Sequence, residues 1–554
     1  MQEQYLAPNS QPSQPEPLKF STKLAYGAGD LGAAMTANVL IFFLLYFFTN
    51  VAGLPAGLAS AVLAIGKVSD AINDPLTGIL SDRTRTRWGR RIPWMLGGII
   101  PFGILFILHW LVPAFSQNTT WNQWLLFIYY VLIAVLFNLA FTAVNLPYTA
   151  LTPELTQDYN ERTRLNSFRM AFSIGGSILS LVLAQIIFQV YDQDIVRYPI
   201  LGGVCAFLGT VATLWCVFRI QERGAEPVLS FPQRRGLGIV LLGVAGLAIV
   251  WGIGGLLLQQ TNLFWAVMGL LFGVIFAAAG MTLRRSSPES HLVNELATQT
   301  RLQSHSVPTL SFVEQLKIVF KTKPFLYVIG IYLCAWLGVQ LIASILIYYV
   351  VSWMGLPESQ FPSVAIAVQG TALVMLFIWQ KISNQIGKKK VFFAGTLIWI
   401  LAEGGLFFLE PGQTNLMYGL AILAGCGVSV AYLIPWSMVP DIIELDELET
   451  GYRREGIFYG FMILLQKIGL ALALFLVGVV LELNGFQERP PGGDIPIQPD
   501  SALLAIRVAI SLLPTLFLIG GLVLAYFYPI TQEVHQDIRA KIEAKKRQNQ
   551  SINQ

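Results

Sequence analysis

Apolar stretches about 20 residues long, enough helix to cross a hydrocarbon core of about 30 Å, recur from Leu24 almost to Ile530 of this 554-residue chain. No other feature constrains its folding as strongly. Of the residues, 55% are hydrophobic and 12% are charged, and a soluble domain normally carries about twice that charge. So much apolar surface needs lipid as its solvent. The formal net charge of +4 does not point to nucleic acid, because Lys and Arg lie in short loops and form no single basic face. Cys205, Cys216, Cys334 and Cys426 all fall inside apolar runs without CxxC spacing. They are expected to be buried packing residues, with neither a disulfide framework nor a zinc site. Met1 to Pro17 is polar and lacks the apolar core of a cleavable signal peptide, so the first span is expected to direct insertion itself.

The candidate spans begin near Leu24, Leu58, Pro93, Trp124, Phe168, Pro199, Leu237, Leu263, Pro324, Pro362, Val391, Asn415, Ile457 and Leu503, which predicts an all-α membrane protein of about fourteen helices. Basic residues cluster in alternate loops: Arg83 to Arg91, Arg162 and Arg164, Lys388 to Lys390, and Arg453 and Arg454. The positive-inside rule then places these loops and both termini in the cytoplasm. Gly78-x-x-x-Asp82-Arg83 with Trp88-Gly89-Arg90-Arg91 occupies the turn equivalent to Trp379 through Gly387 to Lys390, as expected of two six-helix bundles related by an axis along the membrane normal. Between them Leu237 to Leu258 and Leu263 to Leu283 read as an inserted hairpin without charge in either span, expected to lie peripherally against lipid. The implied division is a disordered cytoplasmic tail over 1–20 and a first bundle over 21–222. The hairpin and a cytoplasmic loop follow over 223–322, then a second bundle over 323–531 and a cytoplasmic tail over 532–554.

The second span holds Lys67, Asp70 and Asp74, which spacings of three and four put on one helical face, with Pro75 loosening the backbone nearby. A charge at the centre of a membrane helix costs about 3 kcal/mol or more, so three in two turns must face a wet or paired interior. Two carboxylates one turn apart repel each other until a bound cation or a shared proton relieves them, which makes a cation site; a static Lys67/Asp70 ion pair is the alternative. Lys467 lies deep in a late span and needs an anionic partner, so it is expected to meet the aspartates across the central cavity and couple the halves. Thr142 and Asn145, ahead of Pro147, offer neutral oxygen ligands. Asp30 and Arg169 are read either as cavity residues or as anchors of helix ends. Tyr148, Tyr432 and Trp436, beside Pro147 and Pro435, are candidate cavity aromatics. At the cytoplasmic mouth, Asp441 and Glu444 are expected to pair with Arg162 or Arg164 as a gate, beside Asp82 and Arg83 of the basic turn. No HExxH or His/Cys cluster points to an enzyme.

Lys23-Leu-Ala-Tyr26-Gly27-x-Gly29-Asp30, Asp70-Ala-Ile-Asn73-Asp74-Pro75, Trp88-Gly89-Arg90-Arg91, Asn145-Leu-Pro147-Tyr148 and Gln466-Lys467 together resemble the glycoside-pentoside-hexuronide:cation symporters of the major facilitator superfamily, over about residues 20 to 530 apart from the hairpin. The resemblance to its melibiose-permease branch implies that Asp70, Asp74 and Thr142 hold the coupling cation and that Lys467 couples it to the sugar site. Where that branch has sugar-binding aspartates this chain has Ala34 and Asn145, and Thr149 replaces a tryptophan. Sodium-dependent lysolipid carriers share the paired aspartates and Pro147-Tyr148. The expected function is therefore symport of a sugar or glycoside with Na⁺ or H⁺, with a lysolipid or other amphiphile as the alternative. No cofactor beyond the coupling ion is implied. The expected partners are a small organic solute, the cation and the lipid bilayer. A monomer in the plasma membrane, the inner membrane of a bacterium, is expected.

Overall fold

The computed structural model describes residues 18–156, 159–222, 225–258, 263–284, 312–450, 454–489 and 496–552. Lipid offers backbone groups no hydrogen-bond partner, so every spanning segment closes its bonds internally as a helix. These helices are α1 (Phe20–Asn50), α2 (Ala56–Arg83), α3 (Ile92–Leu108), α4 (Thr119–Thr149), α5 (Tyr159–Val190), α6 (Asp194–Arg219), α7 (Phe231–Leu258), α8 (Leu263–Arg284), α9 (Lys323–Trp353), α10 (Glu358–Ile386), α11 (Lys388–Phe408), α12 (Thr414–Thr450), α13 (Glu455–Leu483) and α14 (Asp500–Phe527). Twelve are long and apolar enough to cross a membrane by composition alone; α2 is diluted by its charges, and α3 has 17 residues. The chain is an integral membrane protein.

The helix starts follow the sequence where a local signal marks them. Pro93 and Pro324 sit in the first turns of α3 and α9, where a missing N–H costs nothing. Asn118 caps α4 by accepting from the Trp121 N–H at 3.1 Å. The α5 helix differs most: it starts at Tyr159, ahead of the apolar run near Phe168, because hydropathy registers the buried stretch and not its polar first turns. Pro75 does not interrupt α2. Three π-helical turns among the described residues were invisible in the sequence, one of them at Val508–Leu512 in α14. A π-helical turn at Leu40–Leu44 in α1 has a counterpart at Tyr349–Trp353 in α9, the first helix of the second bundle. Such turns leave carbonyls off the regular ladder and are frequent at functional sites.

In the first bundle α1 packs on α5 and α6, α2 on α4, and α3 on α4 and α6; in the second, α9 packs on α12, α13 and α14, and α12 on α10 and α11. The bundles meet along three seams: α2 against α13, α5 against α10, and the π turn of α1 against α9. Small residues allow the closest approach. A Cβ on Gly478 of α13 would fall 2.1 Å from the Ser60 Cβ of α2. The α7 and α8 helices pack on each other, and α8 leans on the first bundle, where Trp215 Nε1 of α6 donates to Thr282 Oγ1 at 2.7 Å. Val240, Leu247 and Val250 of α7 are left exposed.

The alternation of the helices gives the molecule two ends. The near end carries the termini and the Arg83 to Arg91 turn. The far end carries the α1–α2, α5–α6 and α9–α10 connections.

Candidate functional site

Lys67, Asp70 and Asp74 share one face of α2, as their spacing requires. That face looks across the seam at α13. Lys467 Nζ lies 2.6 Å from Asp74 Oδ2 and 3.0 Å from Asp70 Oδ1. The Thr142 hydroxyl of α4 stands 3.0 Å from Asp70 Oδ1 and 3.3 Å from Asp74 Oδ1, and its one proton serves one oxygen at a time. Lys67 Nζ sits 4.0 Å from Asp70 Oδ2. The Asp70 side chain is 3% exposed and that of Asp74 25%, so Asp74 is the carboxylate with a path to water. Two carboxylates and a hydroxyl converge on one point, which is the ligand chemistry of a hard cation, and an ammonium from the opposite half now occupies it. Two aspartates against two lysines leave the cluster formally neutral, which is what a buried group of charges needs. Among the described residues, no hydrogen bond joins Asn145 to either carboxylate.

The other candidates divide. Tyr432 and Trp436 belong to an aromatic group on α9, α12 and α13, with Trp336 against Tyr432 and Tyr332 against Trp436 at 5.8 Å and Trp436 stacked near Tyr459 at 6.1 Å. Asp30 of α1 faces Arg169 of α5, with the Ser173 hydroxyl beside it. Tyr148 is no cavity residue. Its ring is buried against Tyr26 at 5.0 Å and its hydroxyl donates to the Tyr26 carbonyl at 2.6 Å, so α1 absorbs the polar tip that was expected to meet a solute. Thr149 is spent on its own helix, donating to the Leu146 carbonyl at 2.9 Å.

The expected gate also needs correction. Asp441 takes Lys388 Nζ at 2.7 Å, and Glu444 takes His535 Nε2 at 2.8 Å, all within the second half. Arg164 pairs with Glu161 at 2.8 Å on its own helix, where Lys23 Nζ also lies 2.9 Å away. The hydrogen bond from Lys23, with Arg164 behind it, holds the Glu161 carboxyl below the usual range. Asp82 pairs with Arg91, and Arg83 is exposed. The Arg162 side chain and Arg453 lie outside the described residues. The near-end ion pairs among described residues thus stay inside one half, because each acid finds a base closer in its own bundle than across the mouth.

A second set of contacts across the halves lies at the far end, and sequence reasoning missed it. Arg197 opens α6, Glu358 opens α10, and the two side chains, 9% and 4% exposed, pair directly. Tyr46 and Tyr198 donate to the two Glu358 oxygens at 2.9 and 3.1 Å. Asp194 pairs with both Arg197 and Arg489, while Thr49 and Tyr348 share a hydrogen bond at 2.7 Å. The available signal was arginine in loops that otherwise carry no positive charge.

The sequence model of the MFS/sugar transport protein family matches residues 25–237 and 229–532. The chain is 56% identical to an uncharacterized symporter of Synechocystis sp. over 98% of its own length and 99% of that protein. It is 24% identical to an inner membrane symporter of Escherichia coli across 97% of both chains. It is 25% identical to the sodium-dependent lysophosphatidylcholine symporter 1 of Xenopus tropicalis across 93% of this chain and 88% of the other. In fold it resembles the inward open xylose transporter of Escherichia coli, with a TM-score of 0.55, 12% identity, and coverage of 94% and 99% of the two chains.

Proposed function

The chain belongs to the MFS/sugar transport family and, within it, to the glycoside-pentoside-hexuronide:cation symporters, and from that premise we propose that it carries a sugar or glycoside with one coupling cation, Na⁺ or H⁺, by alternating access. One observation supports this reading above the rest: an ammonium of the second half is seated between two carboxylates of the first. A cation entering there takes over both oxygens and releases Lys467, so ion binding and the contact between halves become one event. Lys67 stays beside Asp70, and with one monovalent ion replacing Lys467 the cluster is again neutral.

The far-end network supports the present state as the one closed on that side. By the positive-inside rule the near end is cytoplasmic, which makes this the inward-facing member of the cycle. The E. coli relative's name supports placement in a bacterial inner membrane. Both halves of the pathway come from one chain, so a monomer suffices. At about 150 mV one co-transported charge supplies roughly 3.5 kcal/mol, enough for accumulation of a few hundredfold.

Uptake into vesicles under imposed Na⁺ or pH gradients tests this. Asp74→Asn is expected to abolish gradient-driven accumulation while the protein still inserts. Undiminished uptake by that variant would remove Asp70 and Asp74 as the ion site.

A second reading, an amphiphile as cargo, draws on the lysophosphatidylcholine relative. It needs an apolar cavity open to lipid, whereas a sugar needs hydrogen-bonding groups that leave no buried polar atom unmatched. Competition between free sugars and lysophosphatidylcholine separates the two.

A further inference from the structure

Midway along α1, Asn38 is 6% exposed in a mostly apolar stretch. Its amide is fully engaged. Nδ2 donates to the Ser177 carbonyl and the Ser180 hydroxyl of α5, each at 3.0 Å, and Oδ1 accepts from Gln369 Nε2 of α10 at 2.8 Å. These bonds fix which way the Asn38 amide points, and thereby fix Gln369: its nitrogen faces Asn38, and its oxygen, Oε1, is left buried without a partner. A second orphan sits on α9, where Gln340 is 2% exposed and its Oε1 is also unmatched. Gln340 follows Trp336 by four residues and so shares its helix face, and the Trp336 Nε1 is a buried donor with no partner. The α9 helix packs on the π turn of α1 directly after Asn38.

Natural proteins rarely leave buried amide oxygens unpaired, and an orphan at a seam between mobile halves marks a place where a ligand supplies the missing hydrogen. Two acceptors and an indole donor match a polyhydroxylated ring, which brings hydroxyl hydrogens and hydroxyl oxygens. None of these side chains carries charge. A phosphocholine or carboxylate group would find no counter-charge among them. We infer that Gln369 and Gln340, with Asn38 orienting the first and Trp336 flanking the second, form the hydroxyl-recognition subsite for a neutral sugar at the seam between the halves. The subsite stands apart from the Asp70/Asp74 cluster on α2, and it rests on the reading of the chain as a sugar symporter.

The test uses the full chain in vesicles with neutral p-nitrophenyl glycosides as probes, together with the monodeoxy analogues of whichever is transported. The unaltered protein is expected to transport one analogue with KM raised about tenfold, the worth of one hydrogen bond. Gln369→Leu is expected to raise KM for the parent by a similar factor, to leave the maximal rate and the cation half-saturation within about twofold, and to lose the discrimination against that analogue. Gln369→Asn, a milder change, should fall between. Ser363→Ala breaks the neighbouring cross-half bond to Gln185, 2.6 Å, and is expected to leave KM unchanged. Discrimination that survives in both Gln369 variants overturns the subsite while leaving sugar transport standing. An equal KM shift in Ser363→Ala also overturns it, since Gln369 would then merely hold the halves together. Transport of no neutral glycoside by the unaltered chain overturns both the subsite and the sugar reading.

Discussion

At the scale of single residues, the proposed ion exchange rests on Asp70, Asp74, Thr142 and Lys467, all four of which are candidates in the sequence. The three charged residues were legible because charge in oil is expensive, and Thr142 through its place ahead of Pro147 and the family resemblance. Tyr148 misled for the opposite reason. An aromatic next to proline is as well satisfied inside a helix bundle as beside a solute, and only its 2.6 Å bond to the Tyr26 carbonyl decides. Thr142 gives a graded prediction: Thr142→Val keeps the shape of the side chain and removes one oxygen ligand, which is expected to raise the cation half-saturation of uptake about tenfold, or roughly 1.4 kcal/mol. An unchanged cation dependence would show that the hydroxyl only props the carboxylates. The far-end pair escaped notice at this scale because charge at a helix end is ordinary, and 161 residues separate Arg197 from Glu358.

At the scale of elements, twelve of about fourteen expected spans, among the described residues, meet the length and composition of a membrane crossing, and most helix starts could be read from apolar runs and first-turn prolines. The π turns of α1 and α9 could not, since a helix apolar all round carries no periodic signal in which a local unwinding would show. The α2–α13 seam makes its own prediction. Gly478→Leu must collide with Ser60 in the far-closed state, so the maximal uptake rate is expected to fall at least tenfold with insertion intact, because the halves can no longer meet there. Gly478→Ala is expected to be milder, and Ser60→Gly to restore part of its activity, since the Ala56 carbonyl oxygen still lies 2.6 Å from the added Cβ. No recovery would place the fault in the folding of α13. The α6–α10 contact predicts the reverse bias. Glu358→Ala leaves the Arg197 guanidinium without its partner across the seam, which costs about 3 kcal/mol in the far-closed state. Thiol reagents added from the far side are expected to label a Ser363→Cys probe faster in that background; equal labelling would demote the network to packing.

At the scale of the whole molecule, the two bundles are tied by ion pairs at the far end and, between described residues, by none at the near end, which supports the proposed rocking around the Asp70/Asp74/Lys467 cluster. Fold and transport class were plain from composition and repetition. Which end is closed was not, because both states use the same helices and differ only in which contacts cross the seam. The proposed cycle depends on Asp70 and Asp74 trading a lysine for an ion. Titration of the coupling cation into purified protein, with and without Lys467→Gln, measures that trade directly. Removal of the competing ammonium is expected to tighten cation binding several-fold while uncoupling it from solute accumulation. Cation binding that is unchanged or weakened in Lys467→Gln would contradict the exchange.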